Sequence, residues 1–82
     1  MQRARTPKQI GSILYRQRDL AELSQHELGN KAGLRQATVS KIESGSPTTR
    51  IQTICALLAA LDLELQIVPR RKGSADNIED IF

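Results

Sequence analysis

Two residue types that stabilise many small proteins are nearly missing from this chain, which has one cysteine, Cys55, and one histidine, His26. A lone cysteine excludes an internal disulfide, and with a single histidine it cannot assemble the ligand spacing of a zinc site. No run of about 20 apolar residues is present to span a membrane, and no apolar stretch of signal-peptide length follows the charged start MQRARTPKQ. A Gly-rich phosphate loop is also lacking. Ser24, Ser40, His26 and Asp19 are present, but Ser24 reads as a helix cap, Ser40 falls on an open helix face, and no base is placed beside either serine. The chain is therefore read as a non-enzyme. No catalytic residue, metal, cofactor, membrane or small-molecule substrate is expected.

What the chain does have is charge and helical patterning. Its 82 residues allow one domain with a modest core, of a size that self-association commonly stabilises. The net charge of +3 is unevenly spread. Residues 1 to 72 hold all 12 Lys and Arg against six acids, whereas the charged residues of 73 to 82 are Asp76, Glu79 and Asp80, which leaves the body at +6 and the tail at -3. A basic body calls for a polyanion as partner, and a tail of opposite sign calls for a separate role.

Helical signals succeed one another along the body. Thr6 is a good N-cap and Pro7 suits the first helical position, with Ile10, Ile13 and Leu14 at helical spacing up to about Leu20 and with Lys8, Arg16 and Arg18 on the other side. Ser24 opens a capping box with Glu27, Leu23 and Leu28 form a hydrophobic staple around it, and Gly33 ends a second helix from Gln25 to Ala32. After Leu34 and Arg35, QATVSKIE makes a third helix that stops at Ser44 and Gly45. GSPTT is turn chemistry, with Thr48 or Thr49 as the next cap. The fourth helix carries Ile51, Ile54, Leu57, Leu58 and Leu61, and Cys55 is expected beside that stripe as a small buried thiol. From Leu63 the period changes to two: Leu63, Leu65 and Ile67 alternate with Glu64, Gln66 and Val68 until Pro69. A lone strand leaves its N–H and C=O groups unpaired, so the expected partner is the same strand of a second copy.

Two short helices joined by a Gly turn form the pattern in which the second helix enters the DNA major groove. At about 100° per residue from Gln36, the residues Gln36, Ser40, Ala37 and Lys41 share one polar or small side, while Thr38, Ile42 and Val39 fall on the other. Gln36 can make a bidentate contact to adenine, Lys41 can reach guanine or a phosphate, Ala37 can touch a thymine methyl, and Arg35 suits a base edge or a phosphate. Gln25 at the start of the second helix, together with Thr38, Thr48, Thr49 and Arg50, is expected to contact phosphates. His26 reads as solvated or phosphate-adjacent, and Arg3, Arg5 and Arg16 as solvated surface.

Residues 23 to 45, LSQHELGNKAGLRQATVSKIESG, resemble the Cro/C1-type helix-turn-helix of phage repressors: a Gln opening the second helix, a Gly turn and a K-I-E-x-G ending. The resemblance implies a structural ion pair between Arg18 and Glu43. Gly29 departs from the family's usual Ala, which is expected to permit close helix contact while lowering helix propensity by roughly 1 kcal/mol. Residues 48 to 70, TTRIQTICALLAALDLELQIVPR, are similar to HipB-type antitoxins. That likeness implies dimerisation through a C-terminal strand, repression of the chain's own operon and binding of a HipA-type kinase toxin.

The expected fold is all-α with one C-terminal β-strand, a lambda-repressor-like domain of four helices whose strand pairs across a homodimer. Residues 1-69 form the DNA-binding and dimerisation domain, and residues 70-82 a flexible charged tail in which Ile78, Ile81 and Phe82 are partner-binding anchors. The expected place of action is the cytoplasm, at the nucleoid, on a palindromic operator. Two alternatives stay open: a stand-alone phage-like repressor without a toxin, and a protein-interaction module that keeps the fold as a scaffold.

Overall fold

A computed structural model describes residues 2–71, so the expected anchors Ile78, Ile81 and Phe82 lie outside the described residues. Helix α1, Pro7–Leu20, begins where its sequence signals place it: Thr6 Oγ1 accepts from the Gln9 N–H at 3.1 Å, and Gln9 Oε1 accepts from the Arg5 N–H at 2.5 Å. Helix α2, Gln25–Ala32, has the full capping box, with Ser24 Oγ accepting from Glu27 N at 3.0 Å and Glu27 Oε1 accepting from Ser24 N at 2.8 Å. Helix α3, Gln36–Glu43, and helix α4, Ile51–Ala60, complete the order.

The start of α4 differs from expectation. Its N-cap is Arg50, not Thr48 or Thr49, and no side chain caps it. Both threonine hydroxyls are engaged one and two residues upstream: Thr49 Oγ1 donates to Ser46 O at 3.3 Å, and Thr48 Oγ1 lies 3.1 Å from Ser46 Oγ. The turn satisfies itself and leaves the helix end open.

Helix ends follow one rule that periodicity does not reveal. After α1, Glu22 takes φ +58, and the next N–H, that of Leu23, donates to Arg18 O at 3.2 Å. After α4, Asp62 takes φ +59 and Leu63 N donates to Leu58 O at 2.7 Å. Gly33 at φ +73 plays the same part after α2, with Leu34 N donating to Gly29 O at 2.8 Å. Each is a left-handed residue that lets a following N–H reach back and satisfy an otherwise orphaned carbonyl.

The core draws on every helix: Leu14 from α1, Leu28 from α2, Val39 and Ile42 from α3, and Leu57 from α4, with Ile54 also buried. Burying each such side chain contributes about 1.5–3 kcal/mol. Helix α3 packs against both α1 and α2, and α2 also packs on α4. The α1–α3 crossing depends on Gly11, where a Cβ would overlap Ile42 O and lie 2.7 Å from Glu43 O.

Cys55 is exposed, contrary to the expectation of a buried thiol. The buried line of α4 runs through Ile54 and Leu57, while Ile51 lies at its edge and is 65% exposed. Cys55 follows Ile54 by about 100° of helix rotation, on the far side of Ile51 from that line.

Beyond α4 the expected strand does not form within the single chain. Among the described residues there is no strand, and residues 63–71 are non-helical and unpaired. Leu63 is half-buried, whereas Leu65 is 54% and Ile67 94% exposed. A strand exists only through a partner's backbone, and the described part of one copy offers none.

Candidate nucleic-acid interface

The turn between α2 and α3 is tighter than an alanine would allow. A Cβ on Gly29 would sit 2.7 Å from Leu34 O, so the bare backbone of α2 lies against the chain that leads into α3. Half-buried Leu34 packs on the core there, and α3 departs with Arg35 as its N-cap. Val39 and Ile42 pin α3 from beneath. Gln36, Ala37, Ser40 and Lys41 are consequently exposed together with Arg35, and Thr38 is half-buried at the edge. This is the arrangement that the helical spacing implied. The exposed side carries an amide, a hydroxyl, a methyl and two cations, groups that can read base edges.

One carboxylate holds this unit to the rest of the molecule. Glu43, at the end of α3, accepts from Arg18 Nε at 2.6 Å, from Arg18 Nη2 at 3.0 Å and from Gln25 Nε2 at 3.1 Å. Arg18 Nη1 donates to Leu23 O at 2.8 Å, and its guanidinium carbon lies 5.2 Å from the centroid of the Tyr15 ring. The Glu43 hydrogen bond, only partly offset by burial, raises the Arg18 pKa still further, so this cation stays charged. The side chains of Arg18 and Glu43 are 12% and 5% exposed. The last turn of α1, the first residue of α2 and the last residue of α3 thus share one polar node.

Gln25 is the residue whose role in the fold was not legible in the sequence. Its amide bond to Glu43 fixes the side chain in a half-buried position. The nearest sequence signal was its place at the first position of α2, which suggests a phosphate but does not suggest a carboxylate eighteen residues away. The Gln25 and His26 N–H groups, in the first turn, have no intrahelical acceptor.

The four helix starts fall into two kinds. Thr6 and Ser24 cap α1 and α2 with hydroxyls, whereas α3 and α4 begin at Arg35 and Arg50 without a side-chain cap. Helix N-termini carry partial positive charge and unsatisfied N–H groups. An arginine at each uncapped start adds a full charge, and exposed Thr48 and half-buried Thr49 lie just ahead of α4. Such ends suit phosphate oxygens. Among the described residues no group of three or more His, Cys, Asp or Glu is placed to hold a metal ion, and no helix is long and apolar enough to cross a membrane.

The helix-turn-helix family profile matches residues 14–68, which include α2, the turn and α3. The chain belongs to the helix-turn-helix family. Among helix-turn-helix relatives, Antitoxin HipB of Escherichia coli strain K12 is 27% identical over 78 residues, covering 95% of this chain and 89% of that protein. An uncharacterised HTH-type transcriptional regulator of Haemophilus influenzae is 36% identical over 53 residues, 65% of this chain and 54% of its own. In three dimensions this helix-turn-helix chain is similar to HipB in a HipB-O4 20mer complex, with TM-score 0.81, 27% identity, and coverage of 87% of this chain and all of the other. It is equally similar to a chain in a HipA-HipB-O2-O3 complex, with TM-score 0.80, 27% identity and coverage of 87% and 100%. The relatives are named as an antitoxin and a transcriptional regulator, and the Cro/C1-type and HipB-type resemblances read from residues 23 to 45 and 48 to 70 agree with them.

Proposed function

We propose that this chain is a DNA-binding antitoxin: a two-fold dimer that represses its own operon from a palindromic operator and binds a HipA-type kinase toxin. One observation carries the reading, namely the match at TM-score 0.80, over 87% of this chain, to the whole of a chain in a HipA-HipB-O2-O3 complex. In this reading Arg35, Gln36, Ala37, Ser40 and Lys41 contact bases, and Gln25, Thr38, Thr48, Thr49 and Arg50 contact phosphates. The exposure of the first group and the uncapped starts of α3 and α4 support that division.

Leu63, Leu65 and Ile67 pair with the same segment of a second copy, which would cover the apolar surface that Leu65 and Ile67 leave open. Residues 1-69 act as the DNA-binding and dimerisation domain. In the tail, residues 70-82, Ile78, Ile81 and Phe82 enter an apolar pocket on the kinase, with Asp76, Glu79 and Asp80 against a basic rim. The protein works in the cytoplasm at the nucleoid and has no catalytic activity of its own.

The deciding experiment measures two affinities of the full chain, one for duplex DNA from upstream of its own gene and one for the kinase encoded beside it. Both are expected in the nanomolar range or tighter. Deleting residues 74 to 82 is expected to leave DNA binding in place and weaken the kinase at least tenfold, or about 1.4 kcal/mol. Specific DNA binding without kinase binding would make the chain a stand-alone repressor, and kinase binding without specific DNA binding would make it an interaction module.

A further inference from the structure

The two ends of the described chain meet on one face, away from the α2–turn–α3 unit. Residues 2–5, the start of α1, the start of α4 and residues 64–71 enclose a groove of about 540 Å³. Its apolar wall is formed by Ile10, Ile13, Ile51, Ile54, Leu65 and Val68, of which Ile51 is 65%, Leu65 54% and Val68 39% exposed. Arg3, Arg5, Arg70 and Arg71 stand around it, and Arg5 Nη2 donates to Arg71 O at 3.3 Å, tying the N-terminal arm to the C-terminal segment. The groove is thus an oily slot of ligand-pocket size under a collar of four cations.

The sequence that follows Arg71 has the matching chemistry. KGSADNIEDIF alternates Asp76, Glu79 and Asp80 with Ile78, Ile81 and Phe82. Gly73 and Ser74 come directly after the collar, and a Gly-Ser pair lets a chain reverse without steric cost. Reach is ample: the eleven residues after Arg71 extend to roughly 36 Å, and they start at the rim itself.

We propose that this groove is the seat of the chain's own C-terminal segment, residues 76–82, with the Ile78, Ile81 and Phe82 side chains in the apolar slot and the three acids against the arginine collar. The seat is a binding site for an acidic peptide with apolar anchors, and it exists whether or not a kinase is the partner. When such a partner does take the tail, it displaces the tail from this groove. The tail is therefore kept in reserve and its apolar end is covered in the free protein.

The test follows isoleucine and leucine methyl signals of the full chain by NMR. Replacing Phe82→Ala together with Ile81→Ala is expected to move the signals of Ile10, Ile13, Ile51 and Leu65, and to leave those of Leu28 and Val39 in place. Raising salt from about 50 to 500 mM, or reversing the collar with Arg3→Glu and Arg70→Glu, is expected to move the same groove signals in the same direction, since screening weakens charge pairs at the surface. A synthetic peptide of residues 73–82 added to the double-alanine chain is expected to restore the original positions. Groove signals that ignore Phe82→Ala with Ile81→Ala overturn the proposal. So does a mixed sample, labelled double-alanine chain with unlabelled unmodified chain, in which the labelled groove returns fully to its original state, because the occupant would then come from a second copy.

Discussion

The Glu43 carboxylate binds Arg18 side-on, with Nε at 2.6 Å and Nη2 at 3.0 Å, and keeps one further acceptor position for Gln25 at 3.1 Å. Breaking a buried pair by removing one member leaves the other charge uncompensated, at a cost of about 3–5 kcal/mol. Glu43→Gln is therefore expected to destabilise the fold by several kcal/mol, seen as a fall in urea midpoint at constant slope. Arg18→Met with Glu43→Leu is expected to recover most of that loss. If Glu43→Gln alone moves the midpoint by less than about 1 kcal/mol, the node is a surface pair of ordinary value.

Base reading and phosphate clamping separate by mutation. Gln36→Ala is expected to cost about 1–3 kcal/mol on the operator and to relax preference at one position per half-site. Arg50→Ala should weaken all duplexes alike and reduce the slope of log K against log salt by about one. Fluorescence anisotropy at several salt concentrations measures both. An unchanged ratio of specific to nonspecific affinity in Gln36→Ala would remove α3 as the recognition helix.

Gly29→Ala sets two effects of opposite sign against each other. Helix propensity favours alanine by about 1 kcal/mol. Its Cβ, however, would lie 2.7 Å from the backbone oxygen of Leu34, which cannot swing aside as a side-chain tip would. Overpacking of this kind costs about 1–3 kcal/mol, so net destabilisation is expected, with a lower melting temperature. A stabilised variant would show that the turn can open without loss.

Gln66→Pro tests the dimer. Proline removes a ladder N–H, so a strand shared between copies should weaken, and sedimentation equilibrium should show more monomer for the variant at equal concentration. An unmodified chain that sediments as a monomer at micromolar concentration contradicts strand pairing outright.

Acid should loosen the start of α2. The Ser24 N–H donates to Glu27 and holds that carboxyl below its ordinary value near 4.5. A depressed carboxyl stabilises the fold above the ordinary value, and that contribution is lost as pH falls through the lower folded value. Glu27→Gln keeps an acceptor for the Ser24 N–H but cannot titrate. The stability gap between the two chains, followed by thermal melts from pH 7 down to 3, is expected to shrink toward acid. A gap that widens as pH falls is inconsistent with the capping box as the source of the shift.

The sequence alone determined what is local. Thr6 with Pro7, Ser24 with Glu27, and Gly33 mark helix boundaries because a cap or a left-handed residue acts over three or four positions of the chain itself. Spacing also separated Gln36, Ala37, Ser40 and Lys41 from Val39 and Ile42, since a helix turns by a constant angle. Tertiary structure decided whatever depends on the distance between elements. Cys55 is exposed because α4 meets the core along Ile54 and Leu57, a rotational setting of a few tens of degrees that apolar content does not specify. The threonines before α4 turn to Ser46 because the loop supplies closer acceptors than the helix end. Gln25 meets Glu43, and Gly11 and Gly29 permit backbone contact, only because α1 and α2 close on α3. The segment from Leu63 to Ile67 has the period of a strand yet is unpaired in one copy, since a hydrogen-bonded ladder belongs to two backbones and not to one.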